Sequence, residues 1–245
     1  MSLLLNCDLG ESFGSWKMGM DEDVFPHIDQ ANIACGFHGG DPLVMMNTLA
    51  LAKKHGVMVG AHPAYPDLVG FGRRSMNCSQ AEIIGFMLYQ ISAMDGMAKS
   101  QGLTMEYVKP HGALYNDMMS KPAVRDAIMQ AVAQFHRPIK LMLQATNDAS
   151  SHEQEAADLG IDVLFEAFAD RCYDDDGKLL ARGQPGAVHN KEKMLAQVKQ
   201  LNENGTITSV SGNTLNIKAD SLCVHGDNLE GVQAIAQIRQ LIQGS

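Results

Sequence analysis

Apolar residues along this chain come in two rhythms. Short runs at 3–7, 31–34, 57–61, 105–109, 139–143, 161–166 and 221–225 have the length of buried strands. The stretches between them place apolar residues every three to four positions, the spacing of a helix that covers one face of a sheet. Asp41 followed by Pro42 predicts the N-cap and first residue of a helix over 42–55, which Gly56 ends. Ser79 with Glu82 reads as a capping box for a helix to Gln101, and Ser120 with Pro122 opens another, closed by Pro138. Segments 147–159, 190–204 and 228–242 complete the helical set. Two segments break the rhythm. The polar stretch 172–189 predicts a long loop with the character of a lid, and 206–218, turning at Ser211, Gly212 and Asn213, predicts a hairpin. Seven strands with crossover helices predict a seven-stranded β/α barrel in a single domain over 1–245, with an open doubly wound sheet as the other solution.

Nearly every strand run hands the chain to a polar cluster. These are NCDLGE at 6–11, ANIACGFHGGD at 31–41, GAHPAYPDLVGFGRR at 60–74, VKPHGALYN at 108–116, EAFADR at 166–171 and CVHGDN at 223–228. A parallel sheet gathers such clusters at the carboxyl ends of its strands, where β/α enzymes keep their sites. Asp8 and Glu11 flank Gly10 and can hold a metal, accept a proton or orient a substrate. Lys109 ends an apolar strand, where desolvation is costly without a partner, so a functional role is expected of it and of His111. His62 sits at a strand end stiffened by Pro63, completing the catalytic candidates Asp8, Glu11, His62, Lys109 and His111. Candidates for binding substrate or phosphate are His38 in its glycine loop, Arg74 as an anion ligand beside Arg73, and Tyr115 with Asn116 as pocket lining. Glu166, Arg171 and His225 extend the ring; Asp41 and Asp227 read as caps. His27, His55, His136, His152 and His189 have no such setting and read as surface residues.

Composition narrows the classes. A net charge of −9 disfavours a nucleic-acid binder, which needs clustered cations, and 45% hydrophobic residues suffice for a large core. The start MSLLLNCDLGE has neither a basic n-region nor a long apolar run, so no signal peptide or membrane anchor is expected. Five cysteines, an odd number with no CxxC, disfavour disulfides and zinc knuckles. The expectation is a cytoplasmic chain in which Cys7, Cys35 and Cys223 are buried thiols. No GxxxxGK, GxGxxG, GxSxG or HExxH is present, which disfavours P-loop, dinucleotide, serine-hydrolase and zincin sites.

Six of these motifs in order, NCDLGESFG, ANIACGFHGGDP, GAHPAYPDLVGFGRR, VKPHGALYN, FADRCY and CVHGD, make the whole chain resemble the LamB/YcsF family. Departures are Gly39 where alanine is common, Ala181 where proline is frequent and His189 where an aliphatic residue is usual. The resemblance implies a TIM-like seven-stranded barrel of the glycoside hydrolase/deacetylase type. It further implies a part in ATP-dependent opening of 5-oxo-L-proline to L-glutamate, with Mg-ATP, no tightly bound cofactor, and 5-oxoprolinase subunits B and C as partners. In that chemistry Lys109 and an arginine would stabilise phosphoryl oxygens while Asp8, Glu11 or a histidine acts as base toward water. Two alternatives stand beside it. One is a metal-dependent carbohydrate deacetylase or other amide hydrolase with Asp8, His62 and His111 as ligands, since related barrels use an Asp/His/His set. The other is a substrate-binding subunit whose catalytic power lies in its partners.

Overall fold

The computed structural model describes residues 3–224 and 229–243. In chain order its elements are β1 (Leu4–Leu9), a single turn α1 (Asp21–Val24) running into a 3-10 turn (Phe25–His27), β2 (Gln30–Ala34), α2 (Pro42–His55), β3 (Met58–His62), α3 (Gln80–Ser100), β4 (Met105–Val108) and α4 (Gly112–Ser120). Then follow α5 (Pro122–Gln134), β5 (Lys140–Gln144), α6 (Ala149–Ala157), β6 (Val163–Phe168), α7 (Lys191–Asn204), β7 (Thr206–Thr208), β8 (Thr214–Asn216), β9 (Ser221–Val224) and α8 (Leu229–Gln243).

The sheet closes. Strands pair in the order β1-β2-β3-β4-β5-β6-β9, and β6 meets β9 in parallel through Glu166 and Ser221, so the open-sheet solution is excluded. The hairpin β7-β8 stands apart as a two-stranded antiparallel ribbon. Helix termini follow local chemistry: the Asp41 carboxylate accepts from Leu43 N and Val44 N, Gly56 adopts φ 67° to end α2, and Ser79 and Glu82 form the full capping box of α3. Helix α4 was not foreseen. It begins directly after His111 at the polar end of β4, and that turn puts Tyr115 and Asn116 beside the strand ends.

Alternation along the strands sorts two environments. On β1, Leu5, Cys7 and Leu9 join the apolar layer under the helices, whereas inside the barrel Asn6 and Asp8 share contacts with residues of β2, β6 and β9 and with Lys109 just past β4. That interior is a hydrogen-bonded lattice. Asn32 Nδ2 donates to Asn6 Oδ1 and Asp8 Oδ1, both at 2.8 Å, and Tyr107 Oη donates to Asn32 Oδ1 at 2.6 Å. Asn6 Nδ2 donates to Ser221 Oγ and Ser221 Oγ to Gln30 Oε1, each at 2.7 Å. Buried polar groups arranged in this way avoid the desolvation penalty of unpaired ones.

Gly60 makes room for the lattice. A Cβ there would lie 2.3 Å from the Tyr107 ring, its neighbour across β3 and β4. Gly60→Ala should therefore lower stability by about 1–3 kcal/mol or more through overpacking, as read by chemical denaturation. An unchanged midpoint would contradict this packing.

Candidate active site

Lys109 leaves the end of β4 and crosses the barrel mouth. Its ammonium lies 3.1 Å from Asp8 Oδ1, 3.0 Å from Glu166 Oε2, 3.4 Å from Asn6 Oδ1 and 3.2 Å from Cys223 Sγ. Burial opposes this charge, yet Asp8, Cys223 and Glu166 hold it well above the ordinary lysine value. The Cys223 thiol is itself pushed up by burial and stays neutral, so the two carboxylates carry the effect. An ammonium paired with acids from β1 and β6 ties opposite sides of the barrel together. The Tyr115 hydroxyl, raised by burial and then by the Glu166 carboxylate it faces, approaches from α4.

Next to this floor, three imidazoles and a second carboxylate converge. His62 at the end of β3 places Nε2 3.4 Å from Asp8 Oδ2 and 3.0 Å from His111 Nδ1. Glu11 Oε1 is 3.5 Å from His111 Nδ1 and 3.2 Å from His38 Nε2. The rings of His38 and His111 stack with centroids 3.6 Å apart. Burial, then neighbouring imidazoles, hold His111 and His38 well below the ordinary histidine value.

The loop from Asp67 to Arg74 is pressed onto this cluster. Phe71 has φ 53°, the one described non-glycine residue with positive φ, and its carbonyl accepts from His111 Nε2 at 2.9 Å. Backbone strain of this kind persists only where the surroundings enforce it. Gly72 beside it allows the approach: a Cβ there would sit 2.8 Å from His111 Cδ2 and 2.9 Å from His38 Cβ.

A cavity of about 520 Å³ opens above these groups. Asp8, Glu11, His62, Lys109 and His111, all five catalytic candidates, line its floor, and Tyr115 and Asn116 form part of its wall. Arg73, Arg171, Lys178 and Arg182 bring positive charge to the same cavity. Burial and then the neighbouring Arg182 lower the Arg171 guanidinium.

Several sequence-derived expectations need adjustment. Arg74 does not reach the cavity: its side chain is 65% exposed and forks onto Asp67, while its neighbour Arg73 lines the site. His38 is buried behind the cavity, where it meets Glu11 and stacks on His111. Glu166 is buried under the floor as the partner of Lys109. His152, expected on the surface, is buried in the cavity wall. His225 and Asp227 lie outside the described residues. The cysteines are free thiols, with Cys7, Cys35 and Cys223 buried as expected.

Residues missed from the sequence include Asn6, Asn32 and Tyr107 below the floor and Gln144 in the wall. The signal for Asn6 and Asn32 was present, since each interrupts an apolar run with a polar residue that must find partners inside. Lys178 and Arg182 belong to the 172–189 segment read as a lid, which does border the cavity.

A closed parallel barrel with acids, imidazoles and a paired lysine at its carboxyl-terminal strand ends is the architecture of a β/α-barrel enzyme. The chain belongs to the LamB/YcsF family, whose model matches residues 3–245. It is 52% identical over 241 residues to the A-type subunit of 5-oxoprolinase from Pseudomonas fluorescens (strain Pf0-1), covering 98% of this chain and 96% of that protein. The corresponding 5-oxoprolinase protein of Vibrio campbellii is 51% identical, with 97% and 94% covered. The crystal structure of a lactam utilization protein from Thermus thermophilus superimposes with a TM-score of 0.91 at 37% identity, covering 100% of this chain and 97% of that one.

Proposed function

We infer that this chain is the catalytic barrel subunit of a 5-oxoprolinase, acting in the ATP-dependent hydrolysis of 5-oxo-L-proline to L-glutamate. The observation that carries this reading is the near full-length identity of about one residue in two to proteins bearing that name. The site suits the chemistry. A lactam amide is resonance-stabilised, so water attacks it only when the carbonyl is polarised and the water is deprotonated. ATP supplies polarisation by phosphorylating the lactam oxygen, and partner subunits corresponding to B and C complete the enzyme.

Roles follow from position. Asp8, on the cavity floor with Oδ2 turned toward His62, takes the proton of the attacking water. Lys109 supplies fixed positive charge toward the phosphoryl oxygens carried by the activated lactam. As water adds to the ring carbon, the C–N bond breaks and the ring nitrogen takes a proton, leaving an acyl phosphate that a second water cleaves to glutamate and phosphate. Arg73, Arg171, Lys178 and Arg182 suit the phosphoryl group, and a cavity of about 520 Å³ leaves room for it beside a five-membered ring. A reaction consuming ATP suits the cytoplasm, and no helix among the described residues is long and apolar enough to cross a membrane.

The test is reconstitution. This chain mixed with the two partner subunits, 5-oxoproline and Mg-ATP should release glutamate and ADP in step, and omission of this chain should stop both. Full glutamate formation by the partners without it would overturn the reading.

A further inference from the structure

The imidazole cluster holds more electron pairs than protons. His62 Nδ1 lies 2.6 Å from the Lys109 carbonyl, and His111 Nε2 lies 2.9 Å from the Phe71 carbonyl. A carbonyl only accepts, so each of those nitrogens carries its ring's hydrogen. In the neutral rings the opposite nitrogens, His62 Nε2 and His111 Nδ1, are therefore bare lone pairs, yet they face each other at 3.0 Å. Glu11 Oε1, another acceptor, stands 3.5 Å from His111 Nδ1. Such a convergence is unfavourable unless a positive charge, a shared proton or a metal ion, lies among the lone pairs.

The spacing says which kind. Bonds of about 2.0–2.1 Å to a tetrahedral zinc-like ion put neighbouring ligand atoms about 3.3–3.4 Å apart. The separations of 3.0 and 3.5 Å bracket that edge, and the ligand atoms of Glu11, His38, His62 and His111 all lie within 4.8 Å of one another. Both imidazoles also have the outer arrangement of metal ligands, with the remote N–H held by a backbone carbonyl. The strained Phe71 turn supplies one of those carbonyls.

We propose that Glu11 Oε1, His62 Nε2 and His111 Nδ1 form a site for one divalent transition-metal ion of the zinc type. These three ligands line the cavity, so the fourth position opens toward substrate. His38 stays behind them, donating Nε2–H to Glu11 Oε1 at 3.2 Å and stacking on His111, which makes it a positioning residue. Asp8 is not a ligand. Its Oδ1 is committed to Lys109 at 3.1 Å and Asn32 at 2.8 Å, while its Oδ2 borders the site. This set replaces the Asp8, His62 and His111 combination and departs from the expectation of no bound cofactor.

The proposal deepens the oxoprolinase reading but is tested apart from it. Chain purified without chelator or nickel resin should contain about one equivalent of zinc or a related ion by elemental analysis. After chelation, Co²⁺ should bind stoichiometrically and give visible d–d bands of a four- or five-coordinate site. Glu11→Gln, His62→Gln and His111→Gln should each lose the bands or weaken binding by about 100-fold. Arg74→Ala, altered outside the cavity, should keep them. Thermal unfolding with and without Co²⁺ guards against misfolding, because a folded variant that has lost the site no longer gains stability from the ion. A wild-type chain that is metal-free and gives no Co²⁺ bands overturns the proposal, as does a Glu11→Gln or His111→Gln variant binding as tightly as wild type. No partner or lactam is used, so failure here leaves the oxoprolinase reading standing, and a metal-loaded chain inactive in the reconstituted complex would fail only that reading.

Discussion

Lys109→Met is expected to reduce oxoproline-dependent turnover of the reconstituted complex by about 10²–10³-fold or more, the scale of losing a fixed electrostatic stabiliser. It should also be the most destabilising single change in the site. Methionine fills the volume but leaves Asp8 and Glu166, each within about 3 Å of the lost ammonium, buried without their cation. Removing one partner of a buried ion pair costs about 3–5 kcal/mol. The sign of the pH dependence follows. A proton can replace the missing charge between the two carboxylates, so the folded variant binds protons more readily than the unfolded chain and gains stability as pH falls. Denaturation at mildly acid and mildly alkaline pH checks this, with the deficit from wild type larger at alkaline pH. Wild-type turnover, or a deficit independent of pH, would remove Lys109 from the role given to it.

Asp8→Asn should lower kcat by about 10²–10⁴-fold, the range attributed to a positioned general base, with little change in KM. The amide retains an oxygen to accept from Asn32, and Lys109 keeps Glu166, so the stability loss should be well below that of Lys109→Met. That contrast separates chemistry from scaffolding. Steady-state kinetics of the complex beside unfolding of the isolated chain would show it, and near-normal kcat would transfer the base to another group.

Local rules made much of the fold legible. Asp41, Pro42 and Gly56 bound α2, Ser79 and Glu82 start α3, and the seven sheet strands fall within about two residues of the apolar runs, because caps and periodicity act over a turn or two of chain. Legibility failed at α4, where a helix starts straight from a strand end without a side-chain cap, and at His152, whose burial depends on elements distant in sequence. It failed again at Arg73 and Arg74. Adjacent guanidiniums are alike in sequence, and only the turn around Asp67 decides which one faces the cavity.

Local order alone specifies the inventory: seven buried strands, the helices between them, and acids, imidazoles and a lysine at the strand ends, since strand period and helix spacing are properties of neighbouring residues. Which of these groups meet is a matter of assembly. Closure of β6 on β9 brought Glu166 to Lys109, and the fold of the Phe71 loop fixed which nitrogen of His111 carries the hydrogen. Pairings and tautomers of this kind are set by contacts between residues 40 to 160 positions apart, which no local pattern encodes.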